Sequence, residues 1–334
     1  MAKTAVVILN FNGVEYLKKF LPQIISFSPS ADILVADNCS SDTSLDYLGT
    51  LHSVQTIELS ENFGFTGGYN RVLKNLKYEY CVLLNSDVEV TKGWLEPLVK
   101  KLDTDSKVIA CQPKILSYHD KSKFEYAGAS GGFIDKLGYP YCRGRIFETL
   151  EEDSGQYDDD IQIHWTTGAC MIIRTEEFNS VGGFDEDFFA HMEEIDLCWR
   201  LNLAGKKLFC IPQSVVYHVG GGTLDKANPR KTFLNFRNNL SMLFKNESPS
   251  SLIWKLPVKL GLDWIAGFKF WLDNSFDHFK AVLSAHFYFF THLSLLLKKR
   301  KLVNKLRKNN NKLQAKGIIV FQYFLFGKKK YSDL

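Results

Sequence analysis

The first half of this 334-residue chain predicts an open, doubly wound α/β sheet, and three observations carry the prediction. Short β-branched apolar runs recur, helix-like segments separate them, and each run ends in a polar loop. Continuous apolar runs of this length are what buried parallel strands need, because both faces of such a strand are covered. The runs are Thr4–Leu9, Asp32–Ala36, Gln55–Leu59 and Tyr80–Leu84, with helical patterns over Tyr16–Phe27 and Gly68–Lys77 between them.

Ligands of such sheets sit beyond the carboxyl ends of the strands. Those ends carry Asn10-Phe-Asn12-Gly13, Asp37-Asn38-Cys-Ser-Ser-Asp42, Glu61-Asn62-Phe-Gly64 and Asn85-Ser-Asp87-Val-Glu89. Any one of these loops reads equally as turn chemistry. Four in succession point at one crevice. Asn62-Phe-Gly64-Phe-Thr-Gly67-Gly68-Tyr-Asn70 lets backbone approach a ligand before a helix begins. Its spacing is neither GxGxxG nor GxxxxGK[ST], so no dinucleotide fingerprint or phosphate loop is expected.

Residues 117–160 are glycine-rich with an acidic run at Asp158–Asp160, which reads as surface insertions or a lid. The segment His164–Ile173 returns to the sheet, and Lys207–Ile211 and Ser214–Val219 read as two short strands. Asp87, with Glu89 two residues on, suits a hard divalent cation, and His218, near the end of the second strand, could complete its shell, although a lone histidine on an apolar strand also reads as structural.

The segment 191–205 reads as a helix closing at Gly205. Residues three and four apart share a face, so Glu193, Asp196 and Arg200 form one stripe, with Asp196 and Arg200 an i,i+4 ion pair. That stripe reads as scaffold. Glu194 instead heads a stripe of Leu197, Cys198 and Leu201, where partial desolvation raises its proton affinity and the helix N-terminus lowers it. Such a carboxylate suits a general base.

Together, Asn10-Phe-Asn-Gly13, Val35-Ala-Asp37-Asn38-Cys-Ser40-Ser-Asp42, the 62–70 segment, Leu84-Asn85-Ser-Asp87-Val-Glu89, and Gly168-Ala169 through Phe184-Asp185-Glu186 to Glu193-Glu-Ile-Asp-Leu-Cys-Trp-Arg200 resemble glycosyltransferase family 2, in its rhamnosyltransferase-like group. The resemblance spans roughly residues 4–240. It implies a GT-A fold, a nucleoside-diphosphate sugar donor such as dTDP-rhamnose or a UDP-sugar, Mn2+ or Mg2+, inversion at the anomeric carbon, and a glycan or lipid-linked acceptor in cell-surface polysaccharide synthesis. It further implies that Asp37 contacts the base, that Asn85-Ser-Asp87 is the DxD-type motif with Asp87 toward metal and diphosphate, that His218 ligates metal, and that Glu194 is the catalytic base. Asn10, Asn12, Asn38, Asn62, Gly64, Gly67, Asn70 and Asn85 complete the expected donor site, and Arg237 is a candidate phosphate contact. Asn85 stands where an acid is usual, which leaves one charge fewer for the metal.

The expected organisation is a catalytic domain at 1–229, with a donor-binding half at about 1–116 and an acceptor half at about 117–229, then a helical, aromatic and basic region at 230–334. The stretch Phe279–Leu297 is interrupted by Lys280, His286, Thr291, His292 and Ser294. A spanning helix needs about 20 mostly apolar residues, so helices lying in a membrane interface are expected, against a helical layer covering the core as the other reading.

The net charge of +4 is concentrated after Lys298, which points to an anionic surface. Seven scattered cysteines without CxxC spacing exclude a disulfide framework and a zinc knuckle. With no basic and apolar leader, the expected location is cytoplasmic, peripheral on the inner face of the membrane. A non-catalytic sugar-nucleotide or nucleic-acid binding protein is the alternative, resting on the cationic tail alone. The acidic crevice opposes nucleic acid. A processive synthase lacks its QxxRW motif around Phe233–Leu240.

Overall fold

The computed structural model describes residues 2–220, 228–273, 275–308 and 317–334. Four strands alternate with helices in the first part: β1 Thr4–Asn10, α1 Val14–Phe27, β2 Ala31–Asp37, α2 Ser44–Gly49, β3 Val54–Glu58, α3 Gly64–Asn75 and β4 Tyr80–Asn85. All four strands run parallel in the order β4-β1-β2-β3, within about a residue of the predicted runs. The interior side chains of β1, β2 and β4 are apolar and covered, as the unbroken runs require, whereas β3 is the edge strand and exposes Gln55, Thr56 and Glu58.

The chain continues as β5 Val88–Val90, α4 Leu95–Thr104 and β6 Val108–Ser117, then four strands of two or three residues, β7 Gly132–Ile134, β8 Pro140–Cys142, β9 Arg145–Ile146 and β10 Thr149–Leu150. These four pair antiparallel in a separate small sheet. The 117–160 segment is therefore a built platform where sequence predicted insertions or a lid. Strands this short carry no readable alternation, which is why they escape a periodicity argument.

After β11 Ile161–Ile163, β12 Cys170–Arg174 and α5 Thr175–Ser180 come α6 Glu193–Leu203 and β13 Lys207–His218. The large sheet thus has nine strands in the order β11-β13-β6-β12-β4-β1-β2-β3, with β5 paired to β13. The two short strands expected at 207–219 are one strand. Its register slips between Ile211 and Val215, around Pro212, a residue that cannot donate to the ladder and so sits at a bulge.

Helices α7 Pro229–Asn246, α8 Pro249–Leu272, α9 Phe276–Thr291, α10 Leu293–Leu306 and α11 Ile319–Phe324 follow. Helix α7 buries Leu240 and Phe244 against Phe289 and Leu296, and its polar side chains reach the 185–196 segment. Much of the basic terminus is folded onto the body. Ile319 donates its backbone N–H to Asp135 at 2.8 Å, Tyr331 donates to Glu151 at 2.9 Å, and Tyr331 stacks with Phe133 and Tyr141. Lys299 pairs with Asp185 and Asp187. Lys312 and Lys316 of the cationic run lie outside the described residues. All seven cysteines are free.

Candidate active site

Parallel alignment of β4, β1 and β2 places Asn85, Asn10 and Asp37 side by side at the strand ends, since Leu9 is in register with Asn85 and Asn10 with Asp37. The buried Asp37 carboxylate accepts from Asn10 Nδ2 at 2.8 Å and from the Ser40 backbone N–H at 2.8 Å. Asn12, at φ 51°, accepts from the Ser41 backbone at 2.7 Å, while its own N–H donates to Ser40 Oγ at 2.9 Å. The first two polar loops are therefore one hydrogen-bonded unit. Gly13 is obligatory there: a Cβ would lie 2.5 Å from Asn10 Oδ1.

Asn38 and Asn62 shape the third loop. Asn38 accepts from Phe63 N at 3.0 Å and donates to Asn62 Oδ1 and the Gly64 carbonyl, at 2.9 and 3.1 Å. Gly64 takes φ +68° and a Cβ on it would meet the Phe189 ring at 3.0 Å, so this glycine admits the acid-bearing segment against α3. On Gly67 a Cβ would crowd Arg71 and Phe63 at 2.9 Å. Asn70 ties the same two segments together, exchanging bonds of 2.8 and 2.9 Å with the Phe184 backbone. Asn70 is thus engaged in joining α3 to residue 184.

Asp87 lies just past β4, and His218 ends β13. Their side chains meet at 3.2 Å, His218 Nε2 to Asp87 Oδ1, both nearly buried. On the far side of the imidazole, Glu125 Oε2 lies 3.3 Å from Nδ1. Burial disfavours the charged imidazole, yet the two flanking carboxylates push His218 up to about 10. Burial also works to raise the Asp87 carboxyl, but His218 holds it below the usual carboxylate range.

Among the described residues no three ligating side chains converge as a complete metal cage. Asp87 and His218 nevertheless fit two positions on one cation once the imidazole gives up the proton that the two carboxylates hold on it, a proton a metal would displace. Ligands at about 2.1 Å and right angles stand roughly 3 Å apart, and such ions routinely take their remaining oxygens from phosphate and water. A carboxylate behind a ligating imidazole is the usual orienting partner. Glu125 stands in that position and escaped the sequence reading, since it lies in the irregular 117–160 segment. Glu89, on β5 opposite Tyr217, has its carboxylate held by Lys121 at 2.8 Å.

The acidic helix begins after an unusual run of backbone. Phe189, His191 and Met192 all have positive φ, 63°, 67° and 69°. Non-glycine residues hold such angles only where surrounding structure over-determines them. Here α7 does so. Asn238 Nδ2 donates to the carbonyls of Phe188, Ala190 and His191 at 3.1, 2.9 and 2.7 Å, and Arg237 Nη2 to those of Asp187 and Phe188 at 2.8 and 3.0 Å. The candidate phosphate arginine is therefore a backbone clamp, its guanidinium also lying over the Tyr288 ring.

The ion pair expected between Asp196 and Arg200 is present at 2.9 Å and buried. Glu193 does not join it. Asp196 is completed by Lys245 and Asn246 of α7, leaving the Glu193 carboxyl buried without a cation; Glu193 Oε2 and Glu194 Oε2 both lack hydrogen-bond partners. Like charges three apart cannot pair, so the stripe splits after its first member. Burial, then the neighbouring Glu194, pushes the Glu193 carboxyl well up. Glu194 is raised to about 7 by burial, against the pull of its own and Ile195's backbone N–H groups. Leu197, Cys198 and Leu201 behind it are buried as its helical face predicts.

A carboxyl held near neutrality at a strained helix start, with an unpartnered oxygen, has the proton affinity to accept a proton from a hydroxyl brought to it. Comparison with known proteins agrees in class. The chain is 24% identical to the N-acetylglucosaminyl-diphospho-decaprenol L-rhamnosyltransferase of Mycobacterium tuberculosis over 230 residues, 64% of this chain and 75% of that protein. It is 25% identical to the rhamnosyltransferase WbbL of Escherichia coli, over 64% and 82% of the two. In fold it is similar to Staphylococcus aureus TarS 1–349 in complex with UDP-GlcNAc, TM-score 0.57 at 15% identity, covering 92% of this chain and 84% of that one. It is also similar to the Pyrobaculum calidifontis mannosyltransferase PcManGT in complex with GDP-Man and Mn2+, TM-score 0.52 at 13% identity over 91% and 85%. The family described as Glycosyl transferase family 2 matches residues 5–181, more than half of the chain, and the protein belongs to that family as a glycosyltransferase of GT-A fold.

Proposed function

We propose that this glycosyltransferase is an inverting enzyme that moves a hexosyl group, rhamnose from dTDP-rhamnose or a sugar from a UDP donor, to a glycan or lipid-linked acceptor of cell-surface polysaccharide synthesis. The observation that carries the reading is Glu194: a carboxyl raised to about 7, with an unpartnered oxygen, at the start of α6. In the reaction the acceptor hydroxyl oxygen attacks the anomeric carbon while Glu194 removes its proton. The bond from that carbon to the diphosphate oxygen breaks, and its electron pair leaves with the nucleoside diphosphate. Attack opposite the leaving group inverts the configuration.

The polar loops at Asn10–Asn12 and Asp37–Asn38 and the loop-to-helix start at Asn62–Gly67 would hold the nucleoside, with Asn85 and Asp87 toward the diphosphate. Asp87 and His218 would hold a divalent cation, Mn2+ or Mg2+, which when bound neutralises charge growing on the diphosphate. Glu125 would keep His218 in orientation. Positioning of both reactants contributes as much as proton transfer, since bound reactants react as one molecule.

For this chemistry we divide the chain into a catalytic part at 1–229 and a helical part at 230–334, with α7 belonging functionally to both. The relatives' printed substrates support an acceptor on a lipid carrier, and hence a peripheral position on the inner face of the cytoplasmic membrane. A panel of nucleotide sugars with Mn2+, read by thermal shift and by release of nucleoside diphosphate, tests the function. One donor should raise the melting temperature and be turned over by wild type. Glu194→Gln should bind it and not transfer; wild-type turnover by that variant would refute the base assignment.

A further inference from the structure

Helix α8 is built inside out. Its buried row, at four-residue spacing, is Lys255, Lys259, Asp263 and Gly267. Its solvent-facing stripe, at alternating spacings of four and three, is Trp254, Val258, Gly261, Ile265, Phe268 and Leu272, which lie on one face of a helix. The inward charges are satisfied: Lys255 pairs with Glu247, and Lys259 with Asp263 at 2.6 Å, beside His286 and under the Tyr139 ring. A water-soluble surface helix shows the opposite arrangement. Lys255 and Lys259 of α8 therefore do not reach outward, contrary to a picture of apolar side down and lysines up, and only Lys269 in the last turn is exposed, paired with Asp273.

The apolar surface continues past α8. Ile253 is 79% exposed, Leu272 81%, and Phe287 on α9 72%. Trp264, Phe268 and Trp271 gather against Phe279 at the helix pair's outer side, with ring centroids 5.5–6.5 Å apart. Exposed apolar area of this extent marks an interaction surface. Its chemistry favours lipid. Tryptophans are the residues of the bilayer interface, and α10, which follows directly, exposes Leu297 and Leu302 among Lys298, Lys301 and Lys305, none paired to an acid among the described residues. No helix among the described residues is long and apolar enough to cross a membrane.

We propose that the α8–α9 hairpin is a monotopic anchor whose outward apolar face sits below the headgroups of an anionic bilayer, with the α10 lysines at the phosphate level. The inference rests on the membrane-surface location proposed above and specifies what makes the contact: buried apolar side chains first, charge second. Because α7 packs on α9 and also clamps the 187–191 backbone, the anchor and the segment bearing Glu194 share one rigid support.

The test is flotation of the full chain with vesicles of phosphatidylcholine alone or mixed with phosphatidylglycerol, at low and high salt, plus quenching of tryptophan fluorescence by lipids brominated on the acyl chain. Binding should persist at high salt and tryptophan emission should be quenched. The triple variant Ile253→Ser, Ile265→Ser, Leu272→Ser, at fully solvent-facing positions, should lose at least about tenfold in partitioning with donor-induced thermal shift unchanged. The triple variant Lys298→Gln, Lys301→Gln, Lys305→Gln should lose the preference for phosphatidylglycerol and keep the quenching. Salt-abolished binding that survives the serine substitutions would overturn the hairpin anchor while leaving the membrane location standing. Failure to bind either vesicle, with or without a dimer in light scattering, would overturn both.

Discussion

Asp196 of α6 and Lys245 of α7 meet at 3.0 Å, both buried, and this contact fastens the helix bearing Glu194 to the helical layer behind it. Arg200 and Asn246 complete the shell around the carboxylate. A buried pair of this kind is weak evidence for net stability but strong evidence for geometry, because either partner alone would be an uncompensated charge. Lys245→Ala should destabilise the protein by about 3–5 kcal/mol, read from the denaturation midpoint. An unchanged midpoint would show that Lys245 is not needed to neutralise Asp196.

Glu194 should impose an acidic limb on the reaction. A base must be ionised to take a proton, so kcat/KM should be half-maximal at about pH 7, the value to which burial raises this carboxyl, and fall about tenfold per pH unit below it. A profile flat from pH 5 to about pH 8 would remove Glu194 from the rate equation.

The same carboxyl should cost stability when charged. An acid whose folded-state affinity for its proton is raised favours the fold at pH values below its ordinary range, and that contribution is lost as pH climbs toward about 7. Glu194→Gln should therefore leave the unfolding midpoint nearly unchanged at acid pH and raise stability by roughly 1–3 kcal/mol at alkaline pH. Equal effects at both pH values would contradict the burial argument.

Asn238 holds the backbone that leads into α6 through three carbonyls. Asn238→Ala frees the backbone at 188–191 from its left-handed geometry, and small displacements of a reacting group cost roughly 100-fold in rate. The loss should fall on kcat, with donor affinity kept. A loss confined to KM would mean that Asn238 serves binding.

Glu125→Gln should weaken Mn2+ binding by about 10–100-fold, the usual effect of removing an imidazole's orienting carboxylate, measured by titration calorimetry without donor. Asn85→Asp should act in the other direction by restoring a charge at the strand end. Mn2+ affinity indifferent to both substitutions would place the cation elsewhere.

The parallel strands were legible because each is a continuous apolar run ending in a polar loop, and the register then brings Asn10, Asp37 and Asn85 together without further information. Glu194 was separated from Asp196 by helical spacing alone, since neighbours on a helix point different ways. Spacing grouped Glu193 with the ion pair, but whether an acid finds a cation depends on what packs over the helix, and α7 supplies Lys245 to Asp185 and Asp196 and not to Glu193.

Local pattern thus determined the sheet, its loops and the face of α6 that carries Glu194, because backbone periodicity and turn chemistry act over a few residues. Tertiary structure alone decided the rest: that Glu125, almost a hundred residues from His218 in the chain, stands behind its ring, that Arg237 clamps backbone, and that α8 turns Lys255 and Lys259 inward and its tryptophans out. Each depends on which surfaces meet after the chain has crossed over itself, and burial and charge pairing are properties of that meeting.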